Sequence, residues 1–226
     1  SYLKNGPAEN DNDNVDHRNS DGYVLKGPEY LTLFNGETGK EVSTVEYIAK
    51  RGNIEDWGDG WGNRGDRFLA CISYLDGTHP SLVMGRGYYL SKDGKKGKTV
   101  LSAWDFDGKN LKKRWVFDAR RTGSNSKYTG QGAHSISVGD VDGDGKDEIM
   151  YGACAIDDNG KGLYSTGFGH GDATHLGDFD PDRPGLEFFM PHEGSTWGLS
   201  LRDAATGEMI ISIKDSKDVG RGVAGD

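Results

Sequence analysis

Proline and cysteine are scarce in this sequence, and long apolar runs are absent from it. The 226 residues include only 6 Pro and 2 Cys. No apolar run approaches the roughly 18 residues of a membrane-spanning helix, so we expect no membrane segment. Cys71 and Cys154 each lie in an apolar stretch, which favours two buried core thiols over the alternative, a disulfide. The sequence also lacks a CxxC array, a phosphate-binding glycine loop and a nucleophile elbow.

Positive charge is in deficit. The chain has 27 Lys and Arg against 36 Asp and Glu, which gives a formal net charge of −9. A nucleic acid requires a basic face that neutralises phosphates, so we expect no nucleic-acid partner. Bound metal cations would make the effective charge less negative, and an anionic substrate is therefore still compatible with this composition.

Glycine, by contrast, is abundant. The 36 glycines are about twice the average usage, which is typical of short strands joined by tight turns. One example is the alternating segment Leu31–Phe34, which is followed by Asn35-Gly36 and a returning strand from Val42 to Tyr47. No segment of about 12 residues has a clean helical period. We therefore predict an all-β fold.

An acidic loop is the most specific local motif. It supplies carboxylates at alternate positions, then a backbone carbonyl after a glycine, then a last acid: Asp140, Asp142, Asp144, Lys146 and Glu148. Ca²⁺ takes about 6–8 oxygens, and such a loop can supply them from side chains at positions 1, 3, 5 and 9 and the carbonyl at position 7. The alternative is a metal-free, Asp/Gly-rich hairpin turn.

The acidic loop recurs along the chain. The second copy contains Asp178, Asp180, Asp182 and Glu187, with its last acid one place late, and a third copy begins at Gly225-Asp226. The intervals suit propeller blades of about 40–50 residues. We therefore predict a β-propeller, with a partial blade near residues 23–50 and blades near 66–118, 133–168 and 172–214. A β-sandwich is the alternative fold.

The domain organisation follows from this repeat. We expect residues 1–22 to be a polar loop or the end of a preceding blade, and residues 23–226 to be a partial propeller truncated at its C-terminus. A propeller closes fully to hide its strand edges, and about four blades do not close a ring comfortably. We therefore expect the chain to be part of a larger ring. No signal peptide is visible at Ser1, so we also expect it to be a mature or truncated product.

Four of the six histidines stand beside the acidic loops and strands of successive predicted blades. His134 precedes the first loop, His170 and His175 precede the second, and His192 follows the next strand. A histidine near carboxylates can bind a metal or exchange protons. Each one taken alone could be an ordinary hydrogen-bonded histidine. Their equivalent placement predicts that they share one cleft.

A glycine-rich loop near residues 55–67 combines acids, aromatics and arginines. Trp57 or Trp61 could stack on a sugar, while Asp59, Asn63 and Asp66 could hold a cation. The alternative is a structured loop with Arg–Asp pairs.

Two further arginines stand beside aromatic or flexible segments. Arg86, with Tyr88 and Tyr89, places a cation and two aromatic rings at a strand end, where simple packing is the alternative to substrate binding. Arg221, between two glycines, could bind a carboxylate.

Several long strings resemble the rhamnogalacturonan lyases of polysaccharide lyase family 11. They are DWGDGWGNRGDRFLA, HPSLVMGRGYY, AHSISVGDVDGDGKDEIMYGACAIDDNGKGLYSTG, GHGDATHLGDFDP and GRGVAGD, and they cover most of residues 22–226. The resemblance implies an eight-bladed propeller with several structural Ca²⁺ ions and a deep central cleft. It also implies endo- or exo-cleavage of the rhamnose–galacturonate backbone of pectin by β-elimination.

The resemblance also implies roles for individual residues. Arg221 would face a galacturonate carboxylate, and the two acidic loops would hold structural Ca²⁺. The ligands of a Ca²⁺ ion in the cleft would be His134, His170, Asp172 and Glu193. Family members extend far beyond this C-terminus and supply further cleft residues.

β-Elimination needs a base for the C5 proton of the uronate. A histidine that binds the metal cannot be that base through the same nitrogen, which leaves His175, His192 or a group outside this chain. A non-catalytic Ca²⁺-dependent propeller with integrin-like repeats is the main alternative function, and a glycoside hydrolase ranks last. We expect a monomer that is secreted, periplasmic or on the cell surface, where millimolar Ca²⁺ suits low-affinity sites, and that acts on rhamnogalacturonan I.

Overall fold

The computed structural model describes residues 15–193 and 196–225. In this part of the chain, fourteen strands form four antiparallel sheets, and two short 3₁₀ helices span Ile54–Trp57 and Ser126–Tyr128. The predicted all-β class is therefore confirmed. Most of the predicted loop at 1–22, and the third copy of the acidic loop at Asp226, lie outside the described residues.

The sheets follow one another along the chain. Sheet 1 consists of β1 (Tyr30–Phe34) and β2 (Glu41–Glu46). Sheet 2 consists of β3 (Phe68–Ser73), β4 (Ser81–Arg86), β5 (Lys98–Phe106) and β6 (Leu111–Arg120). Sheet 3 consists of β7 (Ser137–Gly139), β8 (Glu148–Met150), β9 (Cys154–Ile156) and β10 (Gly162–Ser165). Sheet 4 consists of β11 (His175–Gly177), β12 (Glu187–Pro191), β13 (Leu199–Asp203) and β14 (Met209–Ile213).

Each sheet packs against the next. One core cluster joins sheets 2 and 3 through Leu101, Phe117 and Ile149, and a second joins sheets 3 and 4 through Met150 and Phe188. Ile149 and Met150 are neighbours in β8, and successive strand residues point to opposite faces. Sheet 3 is therefore buried on both faces, which explains why its central strands β8 and β9 are wholly buried.

The two cysteines belong to the core between sheets 2 and 3. Cys154 is buried and Cys71 is partly buried, and both are free thiols, as predicted. Burial raises the pKa of each thiol to about 12. In the described part of the chain no helix is long and apolar enough to cross a membrane.

The strand order separates the histidines from the acidic loops. In sheets 2–4 the strands pair in chain order, so each first strand begins at the end of the sheet where the second strand finishes. We call this the histidine end, because His134 precedes β7 and His170 precedes β11. The acidic loops join β7 to β8 and β11 to β12, and they lie at the opposite end of the strands.

Candidate functional site

Two histidines from successive sheets meet at the histidine end. The backbone of Ala133 pairs in parallel with that of Gly171, which brings the preceding segments of sheets 3 and 4 together. The rings of His134 and His170 are 5.0 Å apart, centroid to centroid. The prediction that these two histidines share one site is therefore consistent with their positions in the structure.

His170 is held in one tautomer. Its Nδ1 lies 2.5 Å from the carbonyl oxygen of Gly132, and because a carbonyl can only accept, the Nδ1–H must donate. Burial lowers the pKa of His170 to about 4, so the ring is neutral at pH 7 and its Nε2 carries a lone pair. A Cβ on Gly132 would lie 2.3 Å from the Cβ of Tyr88, so only glycine allows this approach.

The lone pair of His170 faces two carboxylates. Its Nε2 lies 3.2 Å from Oε2 of Glu193 and 3.9 Å from Oδ1 of Asp172, and it has no hydrogen-bond partner among the described residues. Nε2 of His134 lies 3.2 Å from the same oxygen of Asp172. The backbone N–H of Glu193 donates to the carbonyl of His170 at 2.9 Å, which fixes the glutamate beside the histidine.

This donor set fits a divalent cation. Ligand atoms of His134, His170 and Asp172 all lie within 4.8 Å of one another. A neutral imidazole lone pair and carboxylates facing each other repel unless a proton or a cation lies between them. Burial raises the pKa of Glu193 and lowers that of His134, as expected where charge is not compensated. Carboxylates suit Ca²⁺, and imidazole nitrogens suit transition metals better.

Two tyrosines support the histidines. The hydroxyl of Tyr88 lies 3.2 Å from Nδ1 of His134, and that of Tyr89 lies 2.9 Å from Nε2. The ring of Tyr88 is parallel to that of His170, with centroids 5.3 Å apart. Tyr88 is buried, so the prediction that it binds substrate is wrong in this structure. Tyr89, which the sequence also placed in the aromatic pair at this strand end, is the second tyrosine that contacts His134.

Positive charge stands beside the same cluster. Burial is the main reason for the lowered pKa of His134, and the charges of Arg67 and Arg221 act in the same direction. Arg221 is exposed, and Arg64 lies over the ring of Tyr89 at 5.1 Å. The carboxylates and histidines are thus bordered by guanidinium groups that suit an anionic ligand.

The other two predicted histidines lie outside this cluster. His175 directs Nε2 to the carbonyl oxygen of Gly222 at 3.1 Å. His192 is fully buried, and its Nε2 is 2.9 Å from the Ser200 hydroxyl. The prediction of a catalytic role for His192 is therefore corrected, because a side chain with no exposed surface cannot reach a polysaccharide.

Two predicted substrate-binding residues are core residues. Trp57 and Arg86 are both 0% exposed. Arg86 donates to the carbonyls of Gly65 and Ala49 and to Glu29, and its guanidinium lies 4.7 Å from the centroid of the Trp57 ring. The predicted substrate-binding roles of Trp57 and Arg86 are therefore corrected, and the alternative given for Arg86, simple packing, applies. Trp61 differs, since it is 53% exposed at the surface.

The polar residues of the 55–67 loop are occupied by protein groups. Asp59 accepts hydrogen bonds from the backbone N–H groups of Trp61, Gly62 and Arg64. Asn63 accepts from Arg67 at 2.8 Å, and Asp66 lies 3.7 Å from Arg51 and 3.6 Å from Arg86. The predicted cation site at Asp59, Asn63 and Asp66 is therefore corrected to a structured loop with Arg–Asp pairs.

The first acidic loop closes around a buried carboxylate. Gly145 has a φ of 87°, which glycine adopts without strain, and its N–H donates to Asp140 at 3.1 Å. Glu148 is fully buried, and one of its oxygens accepts from the backbone N–H of Val141 at 2.9 Å. The other has no partner among the described residues, and burial raises the pKa of Glu148 to about 7.

Two overlapping sets of acids in this loop could hold cations. One is formed by Asp140, Asp142 and Glu148, and the other by Asp144, Glu148 and Asp158. Sequence reasoning missed Asp158, which comes from the turn between β9 and β10. The ammonium group of Lys146 lies 2.7 Å from Asp144 and 3.5 Å from Asp158.

The second acidic loop repeats only part of this arrangement. Glu187 is almost fully buried and accepts from the backbone N–H groups of Phe179 and Asp180 at 2.8 and 3.1 Å. Among the described residues, however, Asp178, Asp180, Asp182 and Glu187 do not form a set of three within 4.8 Å. The two loops thus share a buried glutamate that closes the turn, while only the first gathers carboxylates closely.

Comparison with known proteins identifies the family. The model of "Rhamnogalacturonan lyase family 11, C-terminal domain" matches residues 7–226. The chain is 60% identical over 212 residues to the rhamnogalacturonan exolyase YesX of Bacillus subtilis (strain 168), covering 93% of this chain and 33% of YesX. It is 55% identical over 217 residues to the rhamnogalacturonan endolyase YesW of the same strain, covering 95% of this chain and 34% of YesW.

A solved structure agrees with this result. The rhamnogalacturonan lyase of Bacillus licheniformis superposes with a TM-score of 0.86 at 58% identity, covering 93% of this chain and 35% of that one. The chain spans about a third of the length of the curated relatives that it matches. Because the family model matches nearly the whole chain, this protein belongs to rhamnogalacturonan lyase family 11.

Proposed function

We propose that the polypeptide containing this chain is a lyase that cleaves the rhamnose–galacturonate backbone of rhamnogalacturonan I by β-elimination and leaves an unsaturated galacturonate end. The observation that carries the proposal is the convergence of His134, His170, Asp172 and Glu193 at the histidine end. The family membership supports the substrate class. The relatives include an exolyase and an endolyase, and the proposal therefore covers both cleavage at the ends of the polysaccharide and cleavage within it.

The reaction sets clear requirements for these residues. A base removes the proton on C5, the C4–C5 double bond forms, and the C4–oxygen bond breaks to release the rhamnosyl end. A divalent cation at the uronate carboxylate would stabilise the negative charge that develops there. In this proposal His134, His170, Asp172 and Glu193 hold the cation, and Arg221 orients the uronate carboxylate. The proton acceptor is a separate group, because the histidine lone pairs are used for binding.

The cation requirement and the fold belong to the same proposal. We propose that the cation is Ca²⁺, that further ions bind in the acidic loops, and that the stacked four-stranded sheets are successive blades of a propeller. The supporting observations are the serial packing of sheets 1–4 and the buried glutamates that close both loops. A Ca²⁺-dependent enzyme with low-affinity sites suits a secreted or cell-surface location.

The test is incubation of the complete polypeptide with rhamnogalacturonan, with Ca²⁺ or with a chelator. We expect an unsaturated uronate product, detected by its ultraviolet absorbance, that disappears with the chelator. His134→Ala should abolish the product, whereas His79→Ala, on the exposed β3–β4 turn, should not. Release of saturated ends only would contradict the lyase, and Ca²⁺-dependent binding without any cleavage would favour a non-catalytic carbohydrate-binding protein.

A further inference from the structure

A basic cavity lies at the histidine end of sheet 2. Its volume is about 220 Å³, and it is lined by five cationic side chains and one acid: Lys95, Lys96, Lys98, Arg120, Arg121 and Asp56. The chain as a whole has a net charge of −9, so this concentration of positive charge runs against the overall composition. Neither the proposed cation site nor the acidic loops include any of these residues.

Part of this positive charge is not neutralised by the protein. Lys96 and Arg120 pair with Glu55 and Asp118. In contrast, Lys98 and Arg121 have no acidic group within ion-pair distance among the described residues. The ammonium group of Lys98 lies 4.5 Å from the centroid of the Trp57 ring. In the described part of the chain, Arg121 donates only to the hydroxyl of Thr129.

The strand register places like charges opposite each other. Lys98, at the start of β5, is the direct cross-strand partner of Arg120, at the end of β6. Like charges in directly opposite positions are destabilising in a sheet, although Asp118, which pairs with Arg120, counteracts this repulsion at Lys98. Burial is the main reason for the lowered pKa of Lys98, which reflects the cost of holding its ammonium group there. An anion in the cavity would offset this cost.

The β4–β5 hairpin connects the basic cavity to the histidine cluster. The β4–β5 hairpin begins with Tyr88 and Tyr89, which contact His134, and it continues to the lysines of the cavity. From Tyr89 to Lys96 the chain can span at most about 25 Å, even if fully extended. Both features also lie at the same end of their sheets. A polymer lying over the histidine cluster can therefore extend to the cavity.

We propose that the basic cavity binds the carboxylate of a second uronate unit of the same anionic polysaccharide chain, with Lys98 and Arg121 as the binding residues. This proposal rests on the function proposed above, because it takes its ligand from that substrate class. A guanidinium can bind a carboxylate with two parallel hydrogen bonds, and the lysine supplies a point charge. Asp56 is the one acid in the cavity, and it opposes binding.

The test measures binding by titration calorimetry in the complete polypeptide, without any need for cleavage. The probe is a rhamnogalacturonan oligosaccharide long enough to cover several uronates, and the comparison probe has its carboxylates reduced to alcohols. We expect Lys98→Gln and Arg121→Gln each to weaken binding of the acidic probe about tenfold, as for loss of one hydrogen bond to a charged group. Lys98→Arg should retain binding, and Asp56→Asn should strengthen it.

The matched control is Lys113→Gln, which removes one exposed positive charge from β6 outside the cavity and should leave binding unchanged. Equal weakening by Lys113→Gln, or by all variants for the carboxyl-reduced probe, would overturn the proposal. So would inorganic phosphate competing at micromolar concentration, since this would indicate a phosphate site. If the polypeptide cleaves rhamnogalacturonan but Lys98→Gln and Arg121→Gln bind as the wild type does, this inference fails while the lyase proposal stands.

Discussion

Nε2 of His170 lies 3.2 Å from a carboxylate oxygen of Glu193, while Nδ1 of the same ring donates to the Gly132 carbonyl. The hydrogen bond at Nδ1 fixes the tautomer of the ring, and it therefore decides what Nε2 presents to Glu193. With the proton on Nδ1 and the pKa of His170 lowered by burial to about 4, Nε2 presents a lone pair to a carboxylate at neutral pH. Two electron-rich groups held this close repel each other unless a proton or a cation lies between them, and this contact is the geometric basis of the proposed cation site.

The first prediction concerns the stability that the proposed cation would provide. A divalent cation at 100 times its dissociation constant should raise the free energy of unfolding by about 2.7 kcal/mol at a single site. Glu193→Gln removes one anionic ligand of the cluster and should reduce the increase in melting temperature on adding Ca²⁺. Glu208→Gln, at an exposed position, is the control. Identical Ca²⁺ responses in the wild type and Glu193→Gln would argue against a site at His170.

The second prediction concerns Gly132. A methyl group there would lie 2.3 Å from the Cβ of Tyr88 and 2.5 Å from the Tyr151 ring. The backbone at Gly132 must therefore move, and this movement should lengthen the hydrogen bond from Nδ1 of His170 to the Gly132 carbonyl. We expect Gly132→Ala to lower the free energy of unfolding by about 1–3 kcal/mol, as overpacking does, and to weaken cation binding. The control is Gly36→Ala, because Gly36 has open space around its Cα. Denaturant unfolding and calorimetric Ca²⁺ titration would measure both effects.

The two histidines of the candidate site were predictable from the sequence because equivalent positions recur in successive units, whereas Asp172 and Glu193 were expected from the resemblance to the family. His134 and His170 both precede the first strand of a sheet, and repetition of one meander brings such positions to the same end. What the sequence could not specify is which side chains at that end are covered. The sequence predicted exposed roles for three residues, Trp57, Arg86 and His192, yet the strand register and the packing of neighbouring sheets bury them.

Long-range contributions were also invisible in the sequence. Asp158 belongs to the turn between β9 and β10, and no local spacing relates it to the loop at residues 140–148. It joins Asp144 and Glu148 only because the strands of sheet 3 pair in chain order. The spacing of the carboxylates therefore identifies the acids within one loop, whereas the acid from the neighbouring turn has no such local pattern.

The third prediction follows from that contact. Asp158→Asn should weaken Ca²⁺ or Tb³⁺ binding to the first acidic loop several-fold, because it removes one of the three acids, with Asp144 and Glu148, whose ligand atoms lie within 4.8 Å of one another. Tb³⁺ luminescence would measure the affinity. Asp21→Asn is the control, since it makes the same chemical change at an exposed position outside the sets of acids within 4.8 Å. If Asp158→Asn binds Tb³⁺ as tightly as Asp21→Asn does, Asp158 is not a ligand in this loop.

The fourth prediction concerns acid stability. His192 is fully buried, and burial lowers its pKa from 6.5 to about 4. Between these pH values His192 binds a proton in the unfolded state but not in the folded state. The contribution of neutral His192 to stability is therefore complete above about pH 6.5 and is lost as the pH falls towards 4. The loss amounts to at most about 3 kcal/mol. With a chelator present, His192→Gln should make the free energy of unfolding, measured with denaturant, less dependent on pH between 4 and 6.5. An unchanged slope of that free energy against pH would contradict the prediction.

The fifth prediction separates two arginines that the sequence placed in one class. Arg86 is buried against Trp57 and is one of two arginines, with Arg51, that pair with Glu29. Arg86→Ala removes a fully buried side chain and its hydrogen bonds to two backbone carbonyls, so it should cost about 2–5 kcal/mol of stability. Arg221 is exposed beside His134, so Arg221→Ala should leave the melting temperature nearly unchanged. Instead it should raise the KM for rhamnogalacturonan about tenfold, as loss of a charged hydrogen bond does. An unchanged KM together with a lowered melting temperature for Arg221→Ala would place Arg221 in the scaffold, because a residue that only binds substrate cannot stabilise the free protein.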